Sequence, residues 1–104
     1  MERIAFKMKL KAGCEEEYKK RHDTIWPELK ALLEESGISD YSIFLDQGTN
    51  TLFAVQKQDG NASSQDLGSN PIMQKWWDYM ADIMDTNDDH SPVTVPLQEV
   101  FYLK

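Results

Sequence analysis

The strongest constraint in this chain is the alternation near its start. In RIAFKMKLK, residues 3–11, Ile4, Phe6, Met8 and Leu10 fall on one side of an extended backbone, and Arg3, Lys7, Lys9 and Lys11 on the other. Such a strand is stable only if its apolar side is covered, so the rest of the chain must supply a cover. The next stretch offers a helix. Its acidic run Glu15, Glu16, Glu17 suits a helix N-terminus, and Lys19, Lys20 and Arg21 suit the C-terminal end, which predicts a helix starting near Cys14.

Pro27 lacks an N–H and its ring meets the carbonyl four residues back, so it belongs in a first helical turn. The helix should therefore break at residues 23–26 and restart, with Asp23 or Thr24 as the cap of the new helix. Leu29, Leu32 and Leu33 form its apolar stripe, and Gly37 closes it in a left-handed conformation. His22 is thereby placed at an exposed corner beside a helix break.

DYSIFLD reads as a strand with Tyr41, Ile43 and Leu45 on one face and Ser42 and Phe44 on the other, and QGTN turns it into a third strand, TLFAVQKQ. Residues 59–70, DGNASSQDLGSN, read as a polar, tolerant loop or weak helical turn without chemistry of its own. Asn70 and Pro71 cap and open another helix, in which Ile72, Met73, Trp76, Trp77, Met80, Ile83 and Met84 recur at helical spacing. TNDDHSP ends it as a loop. LQEVFYL alternates again and predicts a last strand with Leu97, Phe101 and Leu103 against Val100 and Tyr102.

The order β-α-β-β-α-β is that of a ferredoxin-like α+β fold, an antiparallel sheet with helices on one face. The chain's 104 residues fit one such domain, taken as 1–104. The other sheet face would be bare. Apolar groups occur on both sides of several strands, such as Phe44 opposite Ile43, so a second copy is expected to cover it in a homodimer.

A net charge of −7 repels phosphate backbones and anionic headgroups, which argues against nucleic acid as a partner. No apolar run approaches the roughly 18 residues of a membrane span, and no signal-peptide core follows Met1, so no membrane association and a cytoplasmic location are expected. Cys14, a single cysteine, fits a reducing compartment and has no positive group that would activate it. The spacings of histidine, cysteine and carboxylates match no metal site, and no glycine-rich phosphate loop or nucleophile elbow is present.

Tyr18 and His22 stand four apart and share one helix face, so they can converge on a small molecule. Histidine titrates near neutrality and can both give and take protons; alternatively, His22 donates to a backbone carbonyl near the break. Adjacent indoles point about 100° apart on a helix, so one of Trp76 and Trp77 is expected to look away from the core, toward a groove, a loop or a partner. An indole at a cavity rim suits the apolar face of a sugar; both tryptophans as core or interface packing is the other reading. Tyr41 would add a hydroxyl if its strand face is the one under the helices. His90, in DDHSP, reads as solvated.

YKKRHDTIWPEL, the tyrosine of DYSIFLD, MQKWWDYMADIM and PLQEVFYL together resemble the L-rhamnose mutarotase family, from the first strand to the last, most weakly over residues 59–70. The resemblance implies a dimeric α/β barrel and a cofactor-free isomerase that interconverts the α and β anomers of L-rhamnose in the cytoplasm. It further implies that His22 is the proton donor and that Tyr18, Tyr41, Trp76 and Trp77 contact the sugar, with no metal and a homodimeric assembly. Mutarotation needs an acid at the ring oxygen and a base at the anomeric hydroxyl, work that one imidazole and a second group can share. Two other readings use the same residues: a cofactor-free monooxygenase on the same barrel, and a sugar- or haem-binding module with His22 as a ligand.

Overall fold

In the computed structural model, which describes residues 2–59 and 63–104, four strands form one antiparallel sheet in the order β2-β3-β1-β4. The strands are β1 (Glu2–Lys9), β2 (Ile38–Asp46), β3 (Thr51–Gln58) and β4 (Val95–Leu97). The helices are α1 (Glu15–Asp23), α2 (Pro27–Glu35) and α3 (Pro71–Met80), so the chain follows the ferredoxin-like order with its first helix split in two.

The sheet's two faces follow from register. Leu45, Leu52 and Met8 stand in one cross-strand row and Ile43, Ala54 and Phe6 in the next. Those rows lie beneath Tyr18, Leu29, Met73, Trp76, Trp77 and Met80 of the helices, and together they make one apolar cluster. The opposite face carries the row Phe44, Phe53, Lys7 and Val95 and, beside it, Ser42, Val55, Ala5 and Leu97. Phe44 is 63% exposed there.

Pro27 opens α2 as expected, but neither Asp23 nor Thr24 caps it. Trp26, in an extended conformation, is the capping position and makes no side-chain cap bond. Thr24 instead finishes α1, its hydroxyl donating to the Lys20 carbonyl at 3.0 Å. Gly37 takes φ +83° after α2, and a Cβ there would stand 2.8 Å from the Asp59 carbonyl oxygen, so both conformation and space call for glycine. At α3, Asn70 Oδ1 accepts from the Ile72 amide at 2.9 Å, the cap its sequence implies.

Two elements depart from expectation. The last strand is short and lies earlier than LQEVFYL: β4 ends at Leu97, and residues 98–104 run on without regular structure. Val100 and Leu103 are almost wholly exposed, and Tyr102 lies under the Arg3 guanidinium at 4.2 Å. An alternating pattern needs a paired neighbouring strand to become one, and past Leu97 the chain no longer pairs with β1. Helix α3 ends at Met80, yet Ile83 and Met84 stay buried because the next turns run back along the end of β1, the Lys11 amide donating to the Ile83 carbonyl at 2.9 Å.

Candidate active site

Between the helices and the sheet lies a cavity of about 700 Å³, in the size range of ligand sites, whose wall is mostly apolar and aromatic. Tyr18, His22, Tyr41, Trp76 and Trp77 all line it. The exposed Lys19–Asp23 ion pair, 2.9 Å, also lies on its lining.

His22 does not project from an exposed corner. It occupies the last turn of α1, half-buried, with its ring stacked on Tyr18 at 4.3 Å between centroids and edge-on to Trp76 at 5.4 Å. The i, i+4 spacing that put Tyr18 and His22 on one helix face also lets Nδ1 reach the Tyr18 carbonyl at 3.0 Å. A carbonyl only accepts, so Nδ1 carries the proton, and in the neutral ring Nε2 keeps its lone pair. The backbone bond and the cavity position, posed as alternatives from sequence, coexist. Burial lowers the imidazole's pKa from its usual value; the Tyr18 carbonyl and the Asp23 carboxylate oppose that shift without cancelling it. At neutral pH the ring is uncharged.

The two cavity phenols are held neutral as well. Burial pushes the Tyr18 hydroxyl far above its usual range, with nearby Tyr41 adding to the effect, and burial likewise raises Tyr41. Both hydroxyls can donate hydrogen bonds and neither is a base. Tyr41 lines the cavity from within an irregularity of β2 between Ser39 and Ser42, where Asp40 takes φ +47°.

The adjacent indoles are both buried, Trp76 7% and Trp77 4% exposed, against the expectation that one would turn away from the core. The reason is that α3 is enclosed from two directions. Trp76 faces α1 and α2, edge-on to Trp26 at 5.1 Å, while Trp77 is roofed by the backbone at Gly68. Trp26 in turn stacks on Tyr79 at 5.6 Å, and the Arg21 guanidinium covers Tyr79 at 4.3 Å. Arg21 also binds Asp82 at 2.9 Å, Glu17 at 2.7 Å and the Tyr79 carbonyl at 2.8 Å, tying the turn that carries His22 to the end of α3.

Sequence reasoning missed the loop. Residues 60–62 of the stretch read as a tolerant linker lie outside the described residues, but the remainder is built in. Ser64 opens a short 3-10 turn and is buried, bonded twice to Gln56, whose own side chain is fully buried in β3. Ser64 and Gln65 line the cavity. The signal was available in TLFAVQKQ: Leu52, Ala54, Gln56 and Gln58 share the core-facing side, and a buried amide needs partners. His90 lies outside the cavity as an exposed partner of Asp78 at 2.8 Å. Among the described residues no cluster of His, Cys, Asp and Glu could hold a metal ion, and no helix is long and apolar enough to cross a membrane.

Fold and cavity together define a small ferredoxin-like α+β protein with an aromatic, imidazole-bearing pocket in the size range of small-molecule sites. A family model described as L-rhamnose mutarotase matches residues 3–103. An L-rhamnose mutarotase of Formosa agariphila is 62% identical over 104 residues, covering both chains completely, and one of Bacteroides thetaiotaomicron is 64% identical over 99% of each. A crystal structure of L-rhamnose mutarotase from Formosa agariphila superposes with a TM-score of 0.93 at 59% identity, covering all of both chains. The chain belongs to the L-rhamnose mutarotase family.

Proposed function

We propose that this chain interconverts the α and β anomers of L-rhamnose, with His22 as the proton-transferring residue. The observation that carries the reading is the orientation of one imidazole: Nδ1 is committed to the Tyr18 carbonyl, which leaves Nε2 as the atom that exchanges protons. Neutral Nε2 takes the proton of the anomeric hydroxyl as the C1–O5 bond breaks, O1 becoming the aldehyde oxygen. The imidazolium then returns that proton to O5, so His22 acts as base and then as donor. Rotation about C1–C2 and the reverse sequence close the ring on the other face of C1, and the protons balance. Tyr18 and Tyr41, which keep their protons, are donors to the sugar's oxygens. Trp76 and Trp77 offer surface for its C–H face and its methyl group.

The test is saturation-transfer NMR on equilibrated L-rhamnose. The native protein should speed anomer exchange, and His22→Ala should lower that acceleration by about 10²–10⁴ while remaining folded. Exchange unaffected by His22→Ala removes the imidazole from the mechanism.

The chain acts as a single domain over residues 1–104, supported by an apolar cluster that spans sheet and helices among the described residues. Two copies pair through the open sheet face, where Phe44, Val95 and Leu97 are exposed. Analytical ultracentrifugation should find twice the chain mass, and Phe44→Glu should shift it toward monomer; a native monomer at micromolar concentration rejects the pairing. A cytoplasmic location fits a lone, half-buried thiol in Cys14, and fractionation of expressing cells checks it.

A further inference from the structure

The cavity has one polar end, built from the loop and β3. Gln56 spends both ends of its amide on Ser64: Nε2 donates to Ser64 Oγ at 2.9 Å, and Oε1 accepts from the Ser64 amide at 3.0 Å. Gln65 Nε2 donates to the same Ser64 Oγ at 3.2 Å. With two N–H groups pointing at it, Ser64 Oγ turns its own proton toward Tyr41 Oη, 3.5 Å away. The order of donation fixes Tyr41 as an acceptor toward Ser64 and leaves its phenolic proton for a group in the cavity.

At the other member of this network a group is left over. Gln65 Oε1 is buried and has no hydrogen-bond partner among the described residues, although Gln65 lines the cavity. A buried amide carbonyl without a partner is costly, so its persistence beside a ligand cavity points to a partner that arrives with the ligand. The last torsion of a glutamine is broad, so a small rotation brings the carbonyl to the cavity surface. Tyr41 Oη and the Gln65 amide touch a common atom, Ser64 Oγ, which puts one donor and one acceptor side by side. A sugar hydroxyl is itself both donor and acceptor and satisfies the two at once.

We propose that Gln65 is a specificity-determining residue for the sugar: its side-chain carbonyl accepts from, and the Tyr41 hydroxyl donates to, one hydroxyl group of the bound pyranose. Gln56 is the positioning residue that latches the loop in place. The inference rests on the mutarotase reading for the identity of the sugar. It assigns the recognition of one hydroxyl to the short turn after β3 that holds Ser64 and Gln65.

The experiment uses the intact protein, its Gln65→Leu variant and a set of mono-deoxy L-rhamnoses, with binding measured by calorimetry and exchange by saturation-transfer NMR. The native protein should bind one analogue about tenfold more weakly than L-rhamnose. Gln65→Leu should lose about tenfold on L-rhamnose and nothing further on that analogue, a non-additivity that general loosening of the loop would not produce. Equal losses on every sugar, or native-like binding throughout by a folded variant, overturn the proposal. If Gln65→Leu fails to fold, Gln65→Asn, one methylene shorter, must reproduce the selective loss, and uniform affinities in it count against the proposal in the same way. Native protein that binds L-rhamnose with the predicted analogue pattern but does not speed exchange refutes the mutarotase reading and leaves this one standing. Intact exchange with an unaltered analogue pattern in Gln65→Leu does the reverse.

Discussion

The roof over Trp77 can be loaded by a single methyl group. A Cβ placed on Gly68 would stand 2.5 Å from Trp77 Cζ3 and 2.8 Å from Cη2, where ordinary contact begins near 3.4 Å, so loop and indole must separate by about 0.9 Å. The ring has little freedom to yield, since it is 4% exposed and belongs to the main apolar cluster. Overpacking of this kind costs about 1–3 kcal/mol, and alanine recovers roughly 0.4–1 kcal/mol by restricting the unfolded chain. The net is about 1–2 kcal/mol, or roughly 5–10 °C in melting temperature for a domain of this size. Gly48 is the matched control: it too lacks a left-handed φ, and its added Cβ would meet only Asp46 Oδ1 at 3.4 Å. Thermal melts at equal protein concentration, followed by near-ultraviolet circular dichroism for the tryptophans, should show Gly68→Ala well below Gly48→Ala, with an altered aromatic signal. Equal melting temperatures and unchanged aromatic bands would mean that the loop does not press on Trp77, and the account of the cavity's polar end would lose its support.

Because burial lowers the His22 pKa, the folded protein binds fewer protons there than the unfolded chain as pH falls through about 6.5. Its contribution to stability is therefore complete above that pH and declines below it, and the acid limb of kcat/KM for anomer exchange should likewise have its midpoint below 6.5; a midpoint at or above that value contradicts the buried, neutral imidazole. Arg21→Lys keeps the charge but loses the fork that holds Asp82, Glu17 and the Tyr79 carbonyl together. It should lower stability by about 1–2 kcal/mol in denaturant titrations, the exposure of both carboxylates limiting the loss, and should reduce the exchange rate by loosening the turn that carries His22. A variant as stable and active as the native protein would show the clamp to be dispensable.

What could be read from the residues tracked how local the determining forces are. The first strand, the hairpin expected over 40–58 and the start of α3 follow from periodicity and capping within a few neighbours, and each forms within about two residues of its expected position, β2 beginning at Ile38. The pairing of Tyr18 with His22 is a matter of spacing on one helix and was equally legible. Apart from the cap of α2, which fell on Trp26, the failures involve partners outside the element being read. LQEVFYL has the pattern of a strand, but pairing depends on where β1 runs, and of the C-terminal segment β1 pairs only with residues 95–97. Trp77 was read against one helix face, without the roof that Gly68 provides. Ser64 and Gln65 look like loop residues because their partners are a glutamine eight positions earlier and a tyrosine on another strand.

The packing of His22 between a phenol and an indole has a practical consequence. A ring stacked 4.3 Å from Tyr18 and set edge-on to Trp76 sits in the ring currents of both, so its proton resonances are displaced from those of a free imidazole. The chain's other histidine, His90, is exposed in a polar turn and bonded to a carboxylate, with no aromatic stacking on it among the described residues. The two signals should therefore separate in a simple spectrum of the unlabelled protein. The cavity histidine carries its own reporter, readable while sugar, pH or temperature is varied.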